Sequence, residues 1–309
     1  MSGFEKVVLV TRKTRLAELI ERFNTRAQAK FYLTHAGLDF DDYQREDDTY
    51  RRSMDALHGA LEVRLKLQVL DRALVSTYLF APTDVVVALG QDGLVANTAK
   101  YIGGQPLVGV NPDPERIDGI LLPFTPGNVA PVLRGVLGQH FKVRQVTLAQ
   151  ARLSDGQTLL AFNDFFLGAR SHVSARYRLD SGSGFEAQSS SGVIVSTGAG
   201  STGWLSSVFT MAAQVSALTG GTTGAPIRLS WEDAQLVWVV REPYISKHST
   251  ARQTAGLLGP GKALKLESQM PSGGVVFSDG MEADCLQFNS GVTAEVSAAQ
   301  QRAQLVVAG

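Results

Sequence analysis

A single cysteine, Cys285, stands in 309 residues. That excludes a disulfide framework within the chain and any thiolate metal cluster built from it, and it points to a reducing, cytoplasmic compartment. Charge of either sign is also scarce: Asp, Glu, Lys and Arg make up 19% of the chain against a usual ~25%. The 29 basic residues balance 29 acidic ones, so no global field concentrates polyanions, and neither long nucleic acid nor acidic membrane is an expected partner. A local basic pocket remains compatible with this balance. An unbroken run of about 18 apolar residues is missing, and the opening MSGFEKVVLVTRK has no small-residue cleavage site, so neither a membrane span nor an export signal is expected. His35, His58, His140, His172 and His248 show no metal-ligand spacing, and Ser201 lacks the flanking pattern of a nucleophile elbow. Neither a zinc site, nor any other metal site built from protein ligands, nor a serine-hydrolase triad is expected.

What the chain does have is glycine, 31 residues, or roughly 10% against a usual ~7%. Its length exceeds the ~250–300 residues at which one core gives way to two, so two domains are expected. Val7 to Val10 form a continuous apolar run of the kind a strand buried on both faces shows. Leu16, Leu19, Ile20, Phe23 and Ala27 mark one helical face between Thr14 and His35, while the acidic stretch Asp39 to Tyr50 reads as a solvated loop. A second helix follows through Met54, Leu57, Leu61 and Leu65. Asp84–Leu89 and Pro106–Val110 are further buried strands, with helical spacing from Leu94 to Ile102 between them. Strand, helix, strand at this spacing is a parallel crossover unit, which makes the first part a Rossmann-like, doubly wound α/β domain. After a helix at Val129–Leu137, short segments separated by Gly, Ser and Asp replace this pattern: 143–153, 159–163, 175–179, 192–197, 236–240, 263–268, 275–277 and 305–307. They predict a β-rich, sandwich-like domain. With a hinge at Pro123 to Pro131, the expected domains are residues 1–128 and 129–309.

Three segments carry chemistry. Gly90-Gln-Asp-Gly93 follows a buried strand and opens a helix, the place where open α/β sheets bind ligands. Glycines there let backbone N–H groups approach phosphate oxygens, and the helix N-terminus favours an anion. Asp92 within such a loop suits a base for an attacking hydroxyl or a ligand of a phosphate-bound metal; equally, Asp92 caps the helix of a tight turn. Ser196-Thr-Gly-Ala-Gly-Ser-Thr-Gly203 follows a second buried strand and is made of hydroxyl residues and glycines apart from Ala199. It suits ribose, phosphate or carboxamide recognition, or it is an ordinary loop. Asn163-Asp164 offers a donor, an acceptor and a charge at a strand end, or forms a turn. Arg12, Lys13 and Arg15 either meet a phosphate or are solvated surface.

In order and spacing these segments resemble the three signature segments of NAD kinases. The opening Val8 to Arg15, Val108-Gly-Val-Asn-Pro-Asp-Pro-Glu-Arg116 with Gly119 and Leu121-Leu-Pro123, Ser190-Ser-Gly192, Thr197 to Trp204, Arg241-Glu-Pro243, Ser278-Asp-Gly280 and Phe288-Asn-Ser-Gly291 extend the resemblance over nearly the whole chain and toward the mitochondrial-type branch. The resemblance implies transfer of a phosphoryl group from ATP or polyphosphate, with a divalent metal such as Mg²⁺, to the 2′-hydroxyl of the adenosine ribose of NAD, giving NADP. It assigns Asp92 as the base, Gly90, Gln91, Gly93 and Asn111 to the ATP phosphates, and Asn163, Asp164, Ser191, Thr197, Ser201, Thr202, Gly203 and Trp204 to NAD. It further implies a site in the cleft between the two domains and a homodimer or higher homo-oligomer.

The chain departs from the family at two of these positions, and Ser191 stands where many bacterial members carry an acidic residue and the mitochondrial-type branch tends to have serine. Gln91 stands where the family loop has a second glycine free to take φ > 0, and Asp164 replaces the commoner Glu, shortening the reach by roughly one carbon–carbon bond, ~1.5 Å. Two other readings stay open: a kinase of the same superfamily acting on a sugar or lipid, and a non-catalytic NAD-binding sensor.

Overall fold

The computed structural model describes residues 3–61 and 65–308. They pack as two compact units, one of residues 1–144 with 304–309 and one of residues 145–303. No helix among the described residues is long and apolar enough to cross a membrane.

In the first unit, β1 (Lys6–Thr11) leads to three helices, α1 (Arg15–Phe23), α2 (Arg26–His35) and α3 (Phe40–Leu61). Then come β2 (Lys66–Asp71), β3 (Asp84–Leu89), α4 (Asp92–Ala99), β4 (Pro106–Val110), α5 (Val129–Leu137) and the start of β5 (Lys142–Leu153). The strands run in the order β2-β1-β3-β4 and all pairs are parallel. Gln304 and Leu305 pair with Pro106 and Leu107, also in parallel. Every residue of β3 and β4 is buried, as their unbroken apolar runs require. Leu57, Leu61, Val87, Val108, Leu133 and Val136 belong to one core, which joins α3 and α5 to the sheet.

Two expectations fail here for identifiable reasons. The expected single helix from Thr14 to His35 is two, because Asn24 turns left-handed at φ 64° and Thr25 caps α2 by accepting the Gln28 N–H. The expected solvated loop from Asp39 to Tyr50 is the first half of α3. Its acidic start suits a helix N-terminus, and Arg51 pairs with Asp47 one turn away at 2.9 Å. Asp47 is buried on the helix face that also carries Tyr50, Leu57 and Leu61, and accepts the Thr14 hydroxyl at 2.5 Å. A carboxylate at a core-facing position broke the apolar period from which that helix would be read.

The second unit contains most of β5, β6 (Thr158–Ala161), β7 (Asp164–Ala169), β8 (Ala175–Asp180), β9 (Glu186–Ser190), β10 (Val193–Ser196), α6 (Trp204–Leu218), β11 (Leu236–Val240), β12 (Ala255–Leu258), β13 (Leu264–Ser268), β14 (Gly274–Ser278), β15 (Met281–Gln287) and most of β16 (Thr293–Val307). One antiparallel sheet runs β12-β11-β10-β7-β14-β15; β13 joins β16 to β8, β8 pairs with β9, and β5 pairs with β6 and β16 in the other. Alternate residues of both sheets, among them Phe165, Leu167, Val195 and Trp238 against Tyr177, Leu179, Leu266 and Val296, form one core. This is the expected sandwich. Leu205 of α6 covers the other face of one sheet with Val237 and Val239.

Candidate functional site

In the first unit, the loop after β3 is short and tied down. Gly90 donates its N–H to Val110 at 3.2 Å, and Leu94 begins α4 by donating to the Gln91 carbonyl at 2.8 Å. Gln91 is the N-cap residue at φ −111°, ψ 166°, with no side-chain capping bond. That extended conformation is open to any residue, so glutamine in place of glycine carries no backbone strain. Gly93 has open space where a Cβ would be.

Asp92, half-buried at the first position of α4, does not cap its own helix. Its Oδ1 accepts the Leu121 N–H at 2.7 Å and its Oδ2 the Ile120 N–H at 3.3 Å. This reach exists because Gly109 lets the turn before Pro123 lie on β4: a Cβ at Gly109 would come within 2.1 Å of the Leu121 carbonyl oxygen. Asn111 is buried, and its amide closes the same segment, with Nδ2 donating to Ile117 at 2.9 Å and Oδ1 accepting from the Asp113 N–H at 2.9 Å. Of the basic residues after β1, Lys13 pairs with Glu21 at the surface. Arg12 and Arg15 instead line a cavity of about 360 Å³ with Tyr50, Gln91, Asp113 and Arg116 among its other walls.

In the second unit, Asn163-Asp164 and the 196–203 segment form one network. Asp279, in the turn after β14 with φ 53°, accepts the N–H groups of Phe162, Asn163 and Asp164 at 2.9, 2.6 and 3.2 Å. Burial, and then the charge of Asp279, raise the Asp164 carboxyl to about 7. The Thr197 hydroxyl donates to Phe162 at 2.6 Å and accepts from the Gly200 N–H at 3.2 Å. The Ser201 hydroxyl donates to Gly198 at 2.7 Å. Gly200 is required by contact, since a Cβ there would lie 2.2 Å from the Asn163 carbonyl oxygen. Thr197 and Ser201 are buried with their hydroxyls engaged, whereas Thr202 and Gly203 are exposed and Asn163 and Trp204 half-exposed. Ser191, exposed, donates its N–H to Arg241 at 3.0 Å. The Trp204 ring stacks on Phe166 at 5.9 Å between centroids and lies under the Arg241 guanidinium at 5.5 Å, and Phe277 stacks on Phe166 at 5.0 Å.

Asp279, Phe166, Phe277 and Arg241 were not among the expected site residues. Asp279 and Arg241 lie in segments that carry the resemblance, but it gives neither a role, although Ser-Asp-Gly at 278–280 is also a turn signal. Phe166 and Phe277 sit inside apolar strand runs, where nothing separates an outward aromatic from a core one.

No group of three or more His, Cys, Asp or Glu among the described residues is placed to hold a metal. No family model matches the chain, and no curated protein is similar enough to match. Among solved structures, the chain is similar to yeast NADH kinase complexed with NADH, with TM-score 0.57, 17% identity, and coverage of 100% of this chain and 85% of that one. It is also similar to an NAD kinase from Archaeoglobus fulgidus in complex with ATP, with TM-score 0.56, 15% identity, and coverage of 98% and 93%. The chain therefore has the fold of these kinases.

Proposed function

We propose that this chain is an NAD kinase, moving the terminal phosphoryl group of ATP to the 2′-hydroxyl of the adenosine ribose of NAD to give NADP. The observation that carries the proposal is Asp92: a carboxylate presented in the first turn of α4, at the end of a buried parallel strand, in a fold that the solved NAD and NADH kinases share. A ribose hydroxyl is a poor nucleophile at neutral pH, so a site of this kind must accept its proton and stabilise the transferring group. Asp92 takes that proton. The two N–H bonds from Ile120 and Leu121 hold the carboxylate in place and leave about half of its roughly four lone-pair positions for the ribose.

Backbone N–H groups at the start of α4 face the phosphates, helped by the helix dipole. The ion enters as part of the substrate: a magnesium ion keeps oxygen ligands, mostly phosphate and water, and one carboxylate fits that donor set. On the acceptor side, Asn163, Asp164, Ser191 and the exposed Thr202, Gly203 and Trp204 are the NAD contacts. Thr197 and Ser201 serve by shaping their loop, and Gln91 and Asn111 belong to the ATP side. The extended resemblance at 108–123 and 190–204 supports the mitochondrial-type branch, with assembly as a homodimer or higher homo-oligomer.

The test is incubation with ATP, Mg²⁺ and either NAD or NADH, the product being read by an NADP-specific dehydrogenase. NADP formation from NAD is expected. Binding of NAD with no product from any donor, polyphosphate included, would replace the kinase by a non-catalytic sensor. Phosphorylation of a sugar or lipid but not of NAD or NADH would move the chain to another acceptor class.

A further inference from the structure

Helices α1 and α2 carry more aromatic surface than the core takes up. Asn24, left-handed at φ 64°, ends α1, and Thr25 caps α2. This short turn brings Phe23, the last residue of α1, against Tyr32 of α2, with ring centroids 4.8 Å apart. The residues that α2 buries are Ala29 and Leu33. Phe31, Tyr32 and His35 form a second stripe on the side turned away from them. Phe31 is 65% exposed and Tyr32 41%. A lone exposed ring needs no explanation; here several converge. Arg22 and Phe23 from the end of α1, with Phe31, Tyr32 and His35 from α2, stand among the walls of one open depression of about 670 Å³. That volume lies within the ~300–1,000 Å³ of small-molecule sites.

The rings are ordered by one another. Phe31 and His35 lie 3.8 Å apart between centroids. His35 Nδ1 stands 2.9 Å from the Phe31 carbonyl oxygen. A carbonyl only accepts, so Nδ1 carries the proton and Nε2 is left for a partner from outside. The Arg22 guanidinium lies 5.1 Å from the Phe23 ring centroid and 5.9 Å from that of Tyr32. Among the described residues Arg22 has no carboxylate partner, and the neighbouring Glu21 pairs with Lys13 at 2.6 Å instead. No Asp or Glu lines the depression, and α2 carries none. The cavity beside Gln91 is the opposite case, since its Arg12, Arg15 and Arg116 are each paired with Glu46 or Asp42. A guanidinium is planar, permanently charged and matched to a carboxylate or phosphate by parallel N–H donors. Aromatic walls add stacked or edge-on contact with a flat ring.

We propose that this depression binds a planar aromatic ring carrying an anionic group, the ring against Phe31 and Tyr32 and the anion on Arg22. An aromatic carboxylic acid and a nucleotide share that chemistry. The depression has no wall in common with the cavity beside Gln91. α1 presents Arg15 to that cavity and Arg22 to this depression, about 10 Å further along the helix. Occupation of one therefore leaves the other open, and the site does not depend on the chain being a kinase.

The experiment is titration calorimetry of the full chain with 2-naphthoate and with AMP, in EDTA and with ATP present in excess. Two controls keep half of the chemistry each: 2-naphthalenemethanol has the ring without the acid, and cyclohexanecarboxylate the acid without the flat ring. The wild type is compared with Arg22→Gln and Phe31→Ala, both at exposed positions. The wild type should bind 2-naphthoate or AMP more tightly than either control. Arg22→Gln should weaken the anion about three- to tenfold, as for a charge-assisted bond at an open site, and leave 2-naphthalenemethanol unchanged. Phe31→Ala should weaken 2-naphthoate and 2-naphthalenemethanol alike, again about three- to tenfold. Tighter Arg22-dependent binding of AMP supports the site with a nucleotide as its ligand, and tighter binding of 2-naphthoate supports it with an aromatic acid. The site is overturned if neither anion binds, if cyclohexanecarboxylate binds as tightly as 2-naphthoate, if ATP displaces the anion, or if both variants bind as the wild type does.

Discussion

The two glycine-rich loops, similar in composition, are built in opposite ways. At Gly93 the protein leaves space, with nothing within 4 Å of a would-be Cβ, and Gln91 makes no capping bond, while Gly90 lies against the Leu94 side chain. At Ser196–Gly203 the protein uses the space itself. The hydroxyls of Thr197 and Ser201 are bonded within the network, and Gly198 and Gly200 press on the backbone at Ser230 and Asn163. Gly93 keeps room for something outside the chain; Gly198 and Gly200 keep room for the chain. Hydroxyl and glycine content alone therefore does not identify a ligand contact.

The largest effect should come from the open loop. Asp92→Asn removes the proposed base while keeping shape, and NADP formation should fall by about 10²–10⁴-fold with NAD binding retained; wild-type turnover would reject the role. Next, Asp164→Asn should change the pH dependence of stability. The wild-type carboxyl rises from 3.8 to about 7 on folding, so the folded state binds the extra proton, and stability falls as pH climbs between those values, by up to about 1.4 kcal/mol per pH unit. Urea unfolding of the variant from pH 4 to 8 should show a flatter curve and a relative gain at pH 8.

A paired substitution tests the comparison directly. Gly200→Ala should cost about 1–3 kcal/mol because backbone must move, whereas Gly93→Ala should leave stability unchanged or raise it by up to about 1 kcal/mol while raising the KM for ATP. Equal losses of stability in both would remove the distinction. The smallest effect is expected at Glu186→Gln. Although burial opposes it, hydrogen bonds from the Thr250 hydroxyl, the Arg252 and Gln253 N–H groups and the Gln188 amide lower the Glu186 carboxyl to about 2. Its contribution is present above the ordinary carboxylate range and lost as pH falls toward 2. The variant should be less stable by about 1 kcal/mol at pH 7, the difference closing in acid melts.

Three strands buried on both faces were legible to the residue: Asp84–Leu89, Pro106–Val110 and Leu236–Val240 stand where their apolar runs placed them; β7, buried along all but its last residue, was not, because Asn163-Asp164 at its start reads as the end of the preceding strand. Polar elements were not. β9, β15 and the middle of β16 carry Glu, Gln, Ser and Arg, and the alternation that marks a strand is lost when neither face is strictly apolar. α6 was missed because only Leu205 along it is buried, which leaves no apolar stripe to read. The order of the three chemical segments was readable from the residues; Asp279, which accepts three backbone N–H groups at Asn163-Asp164, lies 115 residues from Asp164, and no local pattern connects them.

By itself, the sequence determined the two architectures, the glycine-flanked Asp92 at the mouth of a buried strand, and the absence of a thiolate or disulfide framework, because each follows from local composition and period. Tertiary structure decided that Gln91 is unstrained and that Asp92 answers to Ile120 and Leu121 rather than to its own helix. Those properties depend on which distant backbone groups come within hydrogen-bonding range, and that range is set only when the sheets and helices pack.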